Sequence, residues 1–108
     1  MKRGAVVVVA LPGDTGKPRP AVVLRADRFA AHNRIAVVPL TSELHALPTL
    51  RVDLAPSPNN GLRIACQAMI DRLTNVAVGR IRQTIGQLVD ADLQAIARAV
   101  AVYLGFAD

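Results

Sequence analysis

A mostly β fold closed by one C-terminal helix follows from three features of the sequence. Short apolar runs rich in valine recur along the first 88 residues. Proline- and glycine-bearing turns separate them. The apolar period then changes once, near the end, from strand-like to helical. At 108 residues the chain makes one domain, spanning 1–108. A small, strongly bent antiparallel sheet or barrel is the simplest architecture for these parts.

Ala5–Leu11 is dense in valine, as a strand buried on both faces would be. Pro12-Gly13-Asp14-Thr15-Gly16-Lys17-Pro18 is a loop by its turn chemistry. Pro20–Ala26 is a second strand, and the prolines on either side of Arg19 stiffen its entry. Asp27–Asn33 is a connection with room for one helical turn, and Arg34–Leu40 is a third strand. Thr41–Leu47 is polar and loop-like. Thr49–Leu54 alternates, with Leu50, Val52 and Leu54 on one face and Arg51 and Asp53 on the other. Pro56–Gly61 reads as a hairpin turn and Leu62–Ile70 as the returning strand. Thr74–Ile81 and Gln83–Leu88 are shorter strands broken by Gly79 and Gly86. Leu93, Ile96, Ala97, Val100, Ala101 and Leu104 then keep helical spacing, with Asp90 as N-cap and Gly105 as the stop.

Composition excludes several classes. With 52% apolar residues and no long polar run, the chain is not disordered. Ala5–Leu11 is the longest apolar stretch, far short of the ~20 residues that cross a bilayer. Lys2 and Arg3 before it mimic a signal peptide, but the stretch runs into Pro12-Gly13-Asp14 without a cleavage site. One cysteine, Cys66, fits a reducing cytoplasm. Thirteen basic against eight acidic residues leave a net charge of +5, and eleven of the thirteen are arginine. That balance favours an acidic partner, and arginine suits bidentate phosphate contacts. At 3% aromatic residues there is no stacking platform for bases.

Much familiar chemistry is missing. His32 and His45 lie thirteen residues apart and Cys66 stands alone, so no metal-ligand spacing appears. No phosphate-binding glycine loop and no G-x-S-x-G occurs. Cys66, among apolar neighbours, reads as core rather than nucleophile. Two loop histidines on a basic surface suggest one scheme of their own, in which one imidazole takes a 2′-OH proton and the other protonates the leaving oxygen.

The specific signal is a series of short strings. Gly16-Lys17-Pro18-Arg19-Pro20-Ala21-Val22-Val23-Leu24 follows the first strand and its loop. Pro39-Leu40-Thr41-Ser42 closes the third strand. Gly61-Leu62 is followed by Cys66-Gln67-Ala68-Met69-Ile70-Asp71, then by Ile85-Gly86-Gln87-Leu88, and Leu104-Gly105-Phe106 ends the helix. In this order and spacing the chain, from Arg3-Gly4 to Leu104-Gly105, resembles the MazF/PemK (Kid) family of toxin endoribonucleases. The resemblance implies an SH3-like β-barrel with a C-terminal helix, related to the gyrase poison CcdB. It also implies a cytoplasmic homodimer that cuts single-stranded RNA at short sequences without metal or other cofactor. The products would be a 2′,3′-cyclic phosphate and a 5′-hydroxyl. A cognate acidic antitoxin would thread a disordered segment over the active site.

By the same resemblance, Arg19 matches the family's catalytic arginine and Thr41 its catalytic threonine. Ser42 beside Thr41 is an expected phosphate or base contact, and Asp71 matches an acidic position of the site. Lys17, Cys66 and Gln67 complete the expected RNA-binding set. Cys66 departs from the pattern, since serine is usual there and cysteine is a weaker hydrogen-bonding partner. On residue types alone, Arg19 reads as a structural arginine bonding loop carbonyls and Thr41 as a strand-end cap; the resemblance turns both toward catalysis. Two other readings stand beside it. One is a CcdB-like poison of DNA gyrase with no chemistry of its own. The other is a catalytically silent RNA-binding relative. The basic charge predicts an antitoxin complex that weakens with salt.

Overall fold

The valine run folds as β1 (Ala5–Ala10), and its residues feed two separate cores. Val6 packs with Val22, Val38, Leu40, Leu54 and Ile70 on one face. Val7 and Val9 pack with Ala21, Val23, Ile35 and Val37 on the other. Burial on both faces is what an uninterrupted apolar strand predicts. The computed structural model describes residues 1–13 and 17–108; the expected loop at 12–18 therefore falls partly outside the described residues.

The remaining strands are β2 (Pro18–Val23), β3 (Arg34–Thr41), β4 (Arg51–Leu54), β5 (Cys66–Met69), β6 (Thr74–Ala77) and β7 (Ile81–Gln87). All pairings given for them are antiparallel, in the order β4-β5-β3-β2-β1-β7, with β6 also on β3. The path is open rather than closed into a ring, but it bends like a barrel wall. The bend is at β3. Its first half, Arg34–Val37, pairs with β6, and its end, Leu40–Thr41, pairs with β5. Pro39, which has no N–H to donate, falls in the gap between those partners.

Several expected boundaries shift. Asp27–Phe29 forms the single helical turn expected there. The returning strand expected at Leu62–Ile70 is confined to β5, because a 3-10 turn at Ile70–Arg72 redirects the chain from β5 to β6. The β4–β5 connection is a long loop rather than a tight hairpin. Buried Asn60 organises it: Oδ1 accepts from Ser57 N (3.1 Å) and Leu62 N (3.0 Å), and Nδ2 donates to the Ala55 carbonyl (2.9 Å). A third 3-10 turn at Val78–Arg80, after those at Asp27–Phe29 and Ile70–Arg72, ends the strand expected to reach Ile81.

Helix α1 (Asp90–Tyr103) lays Leu93 and Ile96 into the first core. Each such side chain contributes about 1.5–3 kcal/mol by leaving water. Its N-cap is Val89, not Asp90. Asp90 and Asp92 lie in the first turn, where their charge meets the positive end of the helix dipole. The stop is as expected: Gly105 has φ +84, and Phe106 N donates to Ala101 O at 2.7 Å. Leu104, expected on the buried stripe, is the C-cap of the helix and is 48% exposed. No helix among the described residues is long and apolar enough to cross a membrane.

Candidate active site

Strand register brings together residues that lie far apart in sequence. Arg19 pairs with Val9 on β1. Extending the β2–β3 register from its Ala21–Pro39 pair sets Arg19 opposite Thr41. Thr41 in turn pairs with Gln67 on β5, and Gln67 with Asp53 on β4. A cation, a hydroxyl, an amide and a carboxylate thus run in one row across four strands. Partners in such a row share a face of the sheet.

That face opens at this level. Nearer the start of β3, β6 pairs beside it, and its Val76 joins Ile35 and Val37 in the second core. Beyond Val37 that pairing ends, and a depression of about 590 Å³ is lined by Arg19, Pro39, Thr41, Glu43, His45, Arg51, Met69, Arg72 and Thr74, among others. A second depression, of about 450 Å³, borders the Arg19–Thr41 pair, which forms a ridge shared by the two. Lys17, Arg19, Thr41, Ser42, Arg63 and Ile64 are among its walls, with Cys66 beneath. Arg19 and Thr41 belong to both.

Among the described residues, three guanidinium groups and one carboxylate line the first depression, so its field favours an anion. The Thr41 hydroxyl oxygen accepts the Glu43 amide at 3.0 Å. That bond orients the oxygen and leaves its hydrogen to be donated elsewhere. Glu43 Oε1 lies 3.3 Å from His45 Nε2.

Gln67, 6% exposed, ties this rim together. Its Oε1 accepts from His45 N (2.9 Å) and from Arg51 Nη1 (3.1 Å). Its Nε2 donates to His45 O (3.0 Å) and Asp53 Oδ1 (2.9 Å). Gln67→Leu removes four part-buried hydrogen bonds at once, and is expected to cost about 1–3 kcal/mol. Urea unfolding followed by circular dichroism reads that loss.

Of the expected site residues, the structure gathers Arg19, Thr41, Ser42 and Lys17, with Cys66 beneath the second depression. Cys66, Gln67 and Asp71 differ from the expectation in what they present to it. Cys66 is 6% exposed within the first core, its Sγ donates to Ile64 O at 3.4 Å, and burial pushes its thiol pKa up. Gln67 spends its amide on the protein. Asp71 is exposed on the 70–72 turn and lines neither depression; its neighbour Arg72 does. The two-histidine scheme fails on distance. His32 precedes β3 and His45 follows it, and an eight-residue strand separates them by roughly 25 Å. Arg51 and Arg72 were missed. Arg51 reads in sequence as one of the outward residues of an alternating strand, and nothing local says that this face becomes a pocket wall. Among the described residues no group of three or more His, Cys, Asp or Glu could hold a metal ion.

A family model described as PemK-like, MazF-like toxin of type II toxin–antitoxin systems matches residues 2–104. The chain is 37% identical over 108 residues, 99% of each sequence, to a probable endoribonuclease MazF of Mycolicibacterium smegmatis. Among solved structures it is similar to the Mycobacterium tuberculosis toxin MazF-mt6, with TM-score 0.80 at 23% identity, covering 96% of this chain and 98% of that one. It is equally similar, at TM-score 0.80 and 22% identity, to a mycobacterial endoribonuclease in complex with its cognate antitoxin, covering 97% and 95%. Those two likenesses establish the fold.

Proposed function

The chain belongs to the PemK-like, MazF-like toxin family of type II toxin–antitoxin systems, and on that premise we propose that it is a toxin endoribonuclease acting at the Arg19–Thr41 ridge. The observation that carries the site is the sharing of these two side chains by both depressions. A strand of RNA crossing the ridge would place one nucleotide on each side and the joining phosphate above Arg19 and Thr41.

The chemistry follows from the groups. The 2′-OH attacks the adjacent phosphorus and the 5′-oxygen leaves, giving a 2′,3′-cyclic phosphate and a 5′-hydroxyl. Negative charge grows on the non-bridging oxygens in the transition state. Arg19 meets it with a fork of N–H donors, and Thr41 with its hydroxyl. Ser42 and Lys17 line the second depression, where they would hold the flanking nucleotide and its phosphate. The mechanism asks for no metal and no cofactor.

Thr41→Ala is expected to slow cleavage about 100-fold, and Thr41→Ser to restore most of it, because serine keeps both the donor and the acceptor for Glu43 N. Steady-state rates on one oligonucleotide decide this. The overall activity is tested with a long single-stranded RNA in excess EDTA. Discrete bands with cyclic-phosphate ends support the reading. No cleavage, with inhibition of gyrase supercoiling instead, supports the gyrase-poison alternative; RNA binding without cleavage supports the silent relative.

We place the protein in the cytoplasm as a homodimer, restrained by a cognate acidic antitoxin that covers the arginine-lined depression. The exposed Val102, Tyr103, Leu104 and Phe106 at the end of α1 give a second copy apolar surface to bury. Sedimentation equilibrium at micromolar concentration reports the dimer.

A further inference from the structure

His45 lines the first depression but has no part in the chemistry above. Building on the ribonuclease reading of this site, we propose that His45 is the general acid that protonates the departing 5′-oxygen.

The reaction needs such a group. The bond from the 2′-oxygen to phosphorus forms, the bond from phosphorus to the 5′-oxygen breaks, and the 2′ proton passes to solvent water. The leaving oxygen must gain a proton as it departs. Arg19, Arg51 and Arg72 hold their protons too tightly to supply it. A carboxylate such as that of Glu43 has none to give near neutrality. Thr41 uses its hydrogen on a non-bridging oxygen. Among the described side chains lining this depression, the imidazole of His45 is the one of a type that gives and regains a proton near neutral pH.

Geometry holds His45 to this task. It sits on a surface loop, yet both of its backbone polar groups are fixed by buried Gln67: its N–H donates at 2.9 Å and its carbonyl accepts at 3.0 Å. The ring stays half exposed and rests 3.3 Å from the Glu43 carboxylate. The other charged groups among the described residues lining the depression are Arg19 from β2, Arg51 from β4 and Arg72 from the 70–72 turn, and Asp53 is bonded to Gln67. After donation, solvent returns the proton to the ring. The donor is the protonated form of the ring.

The test pairs two substrates. One is an oligoribonucleotide carrying a single cleavage site. The other is identical except for sulfur in place of the bridging 5′-oxygen at that site; a thiolate leaves without needing a proton. His45→Ala is expected to cut the first roughly 100- to 1000-fold more slowly than wild type, and the second within about threefold of wild type. His45→Gln should behave likewise. His32→Ala, at the far end of β3, should match wild type on both substrates. Circular dichroism and elution volume confirm the fold of each variant. Wild-type rates from His45→Ala on ordinary RNA overturn the proposal, and so does a loss that sulfur does not rescue. If wild type cuts neither substrate, the ribonuclease reading itself falls, which these variant ratios keep distinct from a wrong role for His45.

Discussion

Arg19→Ala should abolish RNA cleavage, by 1000-fold or more on the order of a lost transition-state charge partner, while leaving the fold intact. Arg19 is exposed at the entry to β2, outside both cores, so its removal leaves no cavity. Arg19→Lys should recover little. A lysine keeps the charge but loses the planar fork that meets two phosphate oxygens together. Initial rates on a defined oligonucleotide, with matched circular dichroism and elution profiles, separate loss of chemistry from loss of structure. A wild-type rate from Arg19→Ala would remove this residue from the site.

Gly86→Ala carries the second large effect, on stability. The β4–β5 loop lies on β7 backbone to backbone, with Gln87 N donating to Asn59 O at 2.8 Å. A Cβ on Gly86 would overlap the backbone of Asn59 and Asn60, and a Cβ on Gly61 would overlap the Ile85 carbonyl. Gly61 also holds φ +72, a conformation that other residues enter at a cost. Backbone cannot swing aside as a long side chain can. Gly86→Ala should therefore lose about 3 kcal/mol, whereas Gly79→Ala, which meets nothing within 4 Å, should be nearly neutral. Urea midpoints by circular dichroism compare the two; equal midpoints would contradict the packing described. The effect reaches function as well, because Gly61, Leu62, Arg63 and Ile64 form a wall of the second depression.

These cases mark what local sequence carries and what it does not. Burial of β1 on both faces is written in Val6–Val9, and the helix in the spacing of Leu93 and Ile96. Both depend on near neighbours in the chain. The fork at β3 depends on which strands reach it, and no run of residues announces that. The strand expected to continue through Ile70 instead meets a turn that carries Arg72 to the pocket. Asp90 has the chemistry of a cap, yet the helix begins one residue earlier in register, so its charge acts through the dipole. Arg19 and Thr41 were legible through short strings whose order resembles a family. Their adjacency comes only from the pairing of β2 with β3. Gln67 was expected at the RNA, but its amide is enclosed by His45, Arg51 and Asp53, partners that only tertiary structure brings within reach.

The central claim is that a ribose 2′-OH attacks a phosphate held over Arg19 and Thr41. A single 2′-deoxy nucleotide placed at the cleavage site of an otherwise all-ribose oligonucleotide tests it most directly. The account predicts no cut at that bond, retained binding, and competitive inhibition of cleavage of the unmodified strand. Cleavage of the deoxy-substituted bond at the unmodified rate would contradict it, because the nucleophile would then come from somewhere other than the RNA.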